Sequence, residues 1–231
     1  MLDKTKNKPY DYRGLRLNNI TSPNYRHLLL LLGWVWYLAM YALTENLIPE
    51  SRCHVIHCAV DDWIPFVEYF VLAYVFWYVL VVGSLAYFLF FDVESFRGLQ
   101  IFIIVTQVLA MIAYIVYPSV QYLRPTTFEH QNFCTWLLGI IYAVDTPTGV
   151  CPSLHVAYSL GIASTWLKKR DAKWGTKLFV VVAVILICMA VNFVKQHSFV
   201  DVVAAVPVCL VAEAIAFGKS YWLPKWKKKG D

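Results

Sequence analysis

Long apolar blocks, almost free of charge, recur along this chain, and most are about as long as a helix that crosses a bilayer. Six are read as spans: Leu28–Leu43, Ile64–Phe91, Leu99–Tyr117, Ser153–Leu167, Leu178–Val194 and Phe199–Phe217. A hydrocarbon core about 30 Å thick asks for roughly 20 apolar residues in a helix, within a range of about 17–25. A soluble helix would instead show a one-sided apolar stripe. Charged residues make up 15% of the chain, against about 25% in an ordinary soluble domain. The expected fold is all-α, a polytopic membrane bundle of six transmembrane helices. The second block is long enough to tilt or to run past the interface, and the fourth is short. Phe133–Val144 is too short to cross and reads as an interfacial or re-entrant helix.

Charge placement orients these spans. Of the 20 Lys and Arg, 17 fall in residues 1–27, 92–98, 168–177 and 218–231. Only Arg52, Arg124 and Lys195 fall in the intervening segments. By the positive-inside rule both termini are cytoplasmic. A seventh span at Phe133–Val144 would put Lys168-Lys169-Arg170 and Lys227-Lys228-Lys229 outside, against that rule. The domain organisation expected is a loosely ordered cytoplasmic tail over 1–24, a membrane domain over 25–218 and a basic cytoplasmic tail over 219–231. The net charge of +5 is thus explained by topology, and no nucleic-acid partner is expected. The first block follows a polar, basic stretch and has no small-residue cleavage site behind it, so it reads as a retained span. The expected localisation is an integral membrane protein, in the plasma membrane.

Three separated stretches bring unusual polar groups to the outer face of this topology: Arg124-Pro125, Pro152-Ser153-Leu154-His155, and Lys195-Gln196-His197 with Asp201. His197 and Asp201 are four apart, one turn of a helix starting near Ser198. A carboxylate there can accept the Nδ1–H of His197, leaving Nε2 unprotonated and nucleophilic. The plainer alternative is that Asp201 caps the helix and His197 is an interfacial histidine. Pro152-Ser153 is ordinary capping chemistry. A helix N-terminus also attracts anions; Ser153 adds a hydroxyl donor, and His155 in the first turn can give a proton to a leaving oxygen.

In order and character these three stretches resemble the signature segments of the type-2 phosphatidic acid phosphatase superfamily. The resemblance runs from the third span to the sixth. It implies that His197 becomes phosphohistidine and that Asp201 orients it. His155 would act as acid for the leaving group and then as base for the acceptor. Arg124 and Ser153 would bind phosphate, without metal or other cofactor. The pattern departs at Tyr117, where the family has lysine, at Leu154 in place of glycine, and at Ala190-Val191 in place of Ser-Arg. Lys195 is the candidate to supply the missing cation. Pro-Ser-Leu-His looks more like the branch that includes inositol-phosphorylceramide synthases.

The expected function is hydrolysis of a lipid phosphate or pyrophosphate, with a membrane phospholipid or polyprenyl (pyro)phosphate as substrate. One alternative is a phosphotransferase that passes a phospho-head group to a lipid or polyol hydroxyl. Another is a non-catalytic lipid-phosphate-binding protein. A channel, transporter or scaffold is the reading from another class, and the lack of repeated, broken helices argues against a transporter. Cys53, Cys58, Cys134 and Cys151 fall in outside segments where one or two disulfides can form. Cys53-His54-Val55-Ile56-His57-Cys58 holds four metal-ligand types at a spacing unfamiliar for zinc.

Overall fold

The computed structural model describes residues 8–227. The first seven residues of the N-terminal tail, and Lys228 and Lys229 of the basic run, lie outside the described residues. Among the described residues the regular structure is helical apart from two short paired strands. Five helical stretches among them are long and apolar enough to cross a membrane: Arg26–Leu47, Glu68–Phe91, Val93–Val116, Trp174–Phe193 and Phe199–Trp226. The α-helices are α1 (Leu32–Leu47), α2 (Ala59–Trp63), α3 (Val71–Phe91), α4 (Val93–Val116), α5 (Phe133–Val144), α6 (Leu154–Lys168), α7 (Trp174–Phe193), α8 (Phe199–Phe217) and α9 (Leu223–Lys227).

The fourth predicted span is α6, with 15 residues. At about 1.5 Å per residue it is about 22 Å long, shorter than a hydrocarbon core of about 30 Å. It is nonetheless central, packed against α3, α4, α7 and α8. Gly161 lets Phe102 of α4 lie against its backbone, since a Cβ there would come within 2.5 Å of the ring. α5 forms as a twelve-residue helix over the predicted residues and rests on α3.

Several boundaries differ from the sequence reading. α4 begins at Val93, six residues before the predicted start, because Asp92 caps it by accepting from Ser95 N (3.1 Å). Residues Ile64 and Val67 are extended, so the second span starts at Glu68 and the polar loop is longer than expected. That loop pairs β1 (His54–Val55) in parallel with β2 (Ser119–Val120). The part of the tail described, from residue 8, is not loose. Tyr10 N–H donates to Phe90 O, and the Tyr12 hydroxyl donates to Leu89 O and meets His27 Nε2 at 2.8 Å. Lys169 pairs with Asp92 at 2.7 Å. The N-terminal segment, the α3–α4 turn and the α6–α7 loop therefore gather at one end of the bundle. β1, β2, Arg124 and His197 gather at the other.

α1 stands apart. None of its residues is fully buried, although Trp34, Tyr37, Met40 and Tyr41 pack partly against the core. Gly33 brings it against Ile104 of α4, and Trp34 Nε1 donates to Gln100 Oε1 of α4 (3.2 Å). At its far end Glu45 accepts from the Thr146 and Thr148 hydroxyls. It packs on α4 and hardly touches α3, so a gap remains between α1 and α3.

Candidate active site

α8 starts where it does because Ser198 and two carboxylates satisfy its free N–H groups, the usual need of a helix start. Asp201 Oδ2 accepts from Ser198 N (2.9 Å) and lies 3.2 Å from His197 Nδ1. The capping and histidine-orienting readings of Asp201 are both realised by one oxygen. Asp201 is fully buried, and its Oδ1 has no partner.

The turn before α8 is fixed from several directions. Gln196 N and His197 N both donate to Val191 O at 3.0 Å. Asn192 Nδ2 donates to His197 O (2.8 Å), and the Tyr142 hydroxyl of α5 donates to Val194 O (2.6 Å). Lys195 adopts a left-handed backbone, φ 53°, uncommon for a residue with a side chain, while its carbonyl accepts from Gln121 Nε2 (3.1 Å).

His155, in the first turn of α6, comes to His197 with ring centroids 5.6 Å apart. It is held by tilted aromatic contacts. Trp77 and Tyr74 of α3 approach its ring at 4.3 and 4.6 Å, and Trp77 Nε1 donates to its carbonyl (3.1 Å). Its Nε2 is buried and makes no hydrogen bond. α6 and α8 are tied at this point by Ser153 N–H donating to Asp201 O (3.1 Å). The two histidines and Asp201 thus converge from distant parts of the chain.

The predicted phosphate ligands are placed differently. Ser153 is fully buried and its hydroxyl accepts from Val156 N at 3.4 Å, as a helix cap. Arg124 lies on the C-terminal carbonyls of α5, a favourable place for a cation. Its Nη1 donates to Asp145 O (2.7 Å), and its Nη2 to Thr146 O (3.1 Å) and Gln196 Oε1. Burial lowers its pKa against the opposing pull of Asp145. Lys195 turns to the carbonyls of Asp61 and Ile64 (2.9 and 2.5 Å), and burial lowers its pKa too. None of these three lines the cavity at the histidine pair.

That cavity, of about 800 Å³, fills the gap between α1 and α3. It runs from Leu31, Leu89 and Phe96 near one end of the bundle to His155, His197, Gln196 and Asp145 near the other. On α3 its lining extends from Trp77 to Leu89, about 18 Å at 1.5 Å per residue, or roughly the depth of one leaflet's hydrocarbon. Its wall is mostly apolar and aromatic, with the polar groups Asp145, Thr146, Thr148, His155, Gln196 and His197 at one end.

Asp61 of α2 was not singled out from the sequence. It is 3% exposed and accepts from the Ser198 hydroxyl (2.6 Å), Phe199 N (2.7 Å) and Cys58 N (2.8 Å). Burial works to raise its pKa, but these hydrogen bonds outweigh it and the net shift is downward. An Asp in a polar loop carries no periodic signal that could have revealed this. Asn192, a polar residue at the end of an apolar block, did carry a signal of a kind.

The cysteines and the histidines of Cys53–Cys58, like the carboxylates Glu68 and Glu213 in the apolar helical stretches, have structural surroundings. All six cysteines are unpaired. His54 stacks on Tyr117 (4.1 Å) and His57 pairs with Asp62 (2.8 Å). No group of three metal-ligating side chains occurs among the described residues. Glu68 accepts from Asn132 and meets His130, while Glu213 meets Lys168, Ser164 and Trp222. A scan against protein-family models and searches of curated proteins and of solved structures find no match to this chain.

Proposed function

We propose that this protein is an integral-membrane enzyme of lipid phosphoryl transfer that works through a covalent phosphohistidine on His197. The observation that carries the reading is the pair of facing imidazoles, one backed by a buried carboxylate, at the head of a lipid-deep apolar cavity. Asp201 holds the Nδ1–H of His197, so Nε2 carries the free lone pair. That nitrogen attacks phosphorus. The N–P bond forms as the P–O bond to the leaving group breaks, and His155 protonates the departing oxygen. An acceptor O–H then gives its proton to His155 while its oxygen displaces His197 from phosphorus. The Asp201 carboxylate beside Nδ1 stabilises the positive charge that builds on the ring.

Water as the acceptor makes the enzyme a lipid phosphatase acting on a phosphate or pyrophosphate. A lipid or polyol hydroxyl makes it a phosphotransferase. The second reading is favoured by one observation: among the described residues no Lys or Arg lines the cavity. A singly charged phosphodiester suits such a wall better than a doubly charged monoester.

The topology proposed has six spans, α6 being the short one, with both termini cytoplasmic and the histidines extracytoplasmic, in the plasma membrane. It rests on the gathering of the basic segments at one end of the bundle and on the positive-inside rule. On this topology the short α6 lets His155 sit below the headgroup plane, within reach of a lipid phosphate.

The test is turnover of a lipid panel by purified protein, following free phosphate and new phospholipid, with and without added alcohols. Wild type is expected to be labelled on histidine, acid-labile and alkali-stable, and His197→Ala is expected to lose both label and turnover. Unchanged turnover in His197→Ala rules the mechanism out. A protein that binds lipid without turnover or label is the non-catalytic alternative.

A further inference from the structure

Among the described residues one acid lines the cavity, and it calls for a partner of opposite sign. Asp145 follows α5 and lines the cavity beside His197 and Gln196. Among the described residues its carboxylate has two long contacts, from Gln196 Nε2 (3.4 Å) and the Tyr74 hydroxyl (3.5 Å). The nearest guanidinium, Arg124, is committed to the backbone carbonyls of Tyr142, Asp145 and Thr146 and to the Gln196 side chain. It gives Asp145 no direct ion pair. Burial accordingly pushes the Asp145 carboxyl above its ordinary value, opposed by His197 and Arg124.

Aromatic rings complete the surroundings. Tyr37 and Tyr41 of α1, with centroids 6.0 Å apart, and Trp77 and Tyr78 of α3 line the same cavity. A carboxylate among aromatic faces, with no lysine or arginine in the wall among the described residues, is the chemistry that receives an ammonium group. It is a poor host for a second negative charge.

We infer that the cavity binds a zwitterionic phospholipid, its phosphodiester at His155 and His197, its ammonium group between Asp145 and the tyrosine and tryptophan rings, and its tails in the α1–α3 gap. This rests on the phosphohistidine reading and narrows its donor. His197 Nε2 would form the N–P bond as the P–O bond to the glycerol oxygen breaks. The diacylglycerol leaves with the proton from His155, and the head-group phosphate stays on His197 until a hydroxyl or water takes it. A bound ammonium would also bring the Asp145 carboxyl back down, since an opposite charge favours the ionised form.

Binding is measured on the intact chain in detergent, with short-chain phosphatidylcholine, phosphatidylethanolamine and phosphatidic acid as probes. The His197→Ala background leaves each lipid uncleaved. The zwitterionic lipids are expected to bind at least about tenfold tighter than phosphatidic acid. Asp145→Asn should reduce that preference by about tenfold or more, the range for losing one charge-assisted contact. Tyr41→Leu, which leaves Asp145 in place, should reduce it by a smaller factor and guards against misfolding of the first variant. Equal or tighter binding of phosphatidic acid overturns the inference, and so does a preference that survives both variants. If the preference holds and wild-type protein neither turns over lipid nor becomes labelled, the head-group site stands and the phosphohistidine reading falls.

Discussion

The two histidines of the site are held by opposite means. His197 belongs to a turn fixed by hydrogen bonds: Val191 O takes its N–H, Asn192 holds its carbonyl and Asp201 faces Nδ1. His155 is packed against the rings of Trp77 and Tyr74, and its Nε2 has no hydrogen-bond partner among the described residues. The difference matches the two jobs proposed. A nucleophile needs one tautomer and one direction of attack, which a carboxylate fixes. A group that first gives and then takes a proton needs a ring nitrogen free of any competing partner, which aromatic walls provide.

The comparison is broken most directly through Asp201. Asp201→Asn keeps the shape but can present an N–H to Nδ1, which favours the wrong tautomer. In the analogous arrangement of a serine protease triad that change lowers kcat about 10⁴-fold. A loss of that order in single-turnover labelling of His197 is expected here. Labelling at the wild-type rate would show that the carboxylate only caps α8.

His155→Gln is expected to cost about 10²–10⁴-fold with a lipid leaving group, the usual worth of a general acid. The sharper observation is rescue. A substrate whose leaving group departs without a proton should regain most of the labelling rate in His155→Gln and none in His197→Ala. Equal losses with both substrates would erase the division of labour.

How much of this was legible in the sequence follows from range. Helices long enough to cross a membrane show themselves through composition alone, so their existence was readable; their ends were not, because Asp92 as a cap looks like any other Asp. The His197–Asp201 contact was readable because it is one turn within one helix. Arg124 is assigned to phosphate by the family resemblance, and Lys195 as the cation that would fill the gap in its pattern. In the fold Lys195 meets the carbonyls of Asp61 and Ile64 and Arg124 those at the end of α5. Asp61 was invisible for the converse reason: its partners Ser198 and Phe199 lie 137 and 138 residues away.

Asp61 belongs to the hydrogen-bonded side of the comparison, and its effect should appear in stability. Removing its carboxylate strands the Ser198 hydroxyl and Phe199 N–H, a loss of about 1–3 kcal/mol if they stay dry. Its folded pKa is lowered, so its contribution is complete above the unfolded value of about 3.9. It fades as pH falls through the lower folded value. Thermal unfolding of Asp61→Ala should therefore show a deficit at neutral pH that shrinks below about pH 4. A deficit independent of pH would mean that the loss is packing and not charge.

The smallest effect is expected on the aromatic side. Trp77→Phe keeps a ring against His155 and removes only the Nε1–H bond to its carbonyl. That carbonyl retains the Ser159 hydroxyl, which donates at 2.7 Å, so it is not left unpaired. The loss is that of one neutral hydrogen bond, about 1 kcal/mol or roughly fivefold in rate. It should fall on kcat, through the angle of the imidazole, while His197 labelling with an unprotonated leaving group stays near wild type. A fall of a hundredfold or more would mean that His155, like His197, depends on hydrogen-bonded fixation, and the contrast between the two rings would be lost.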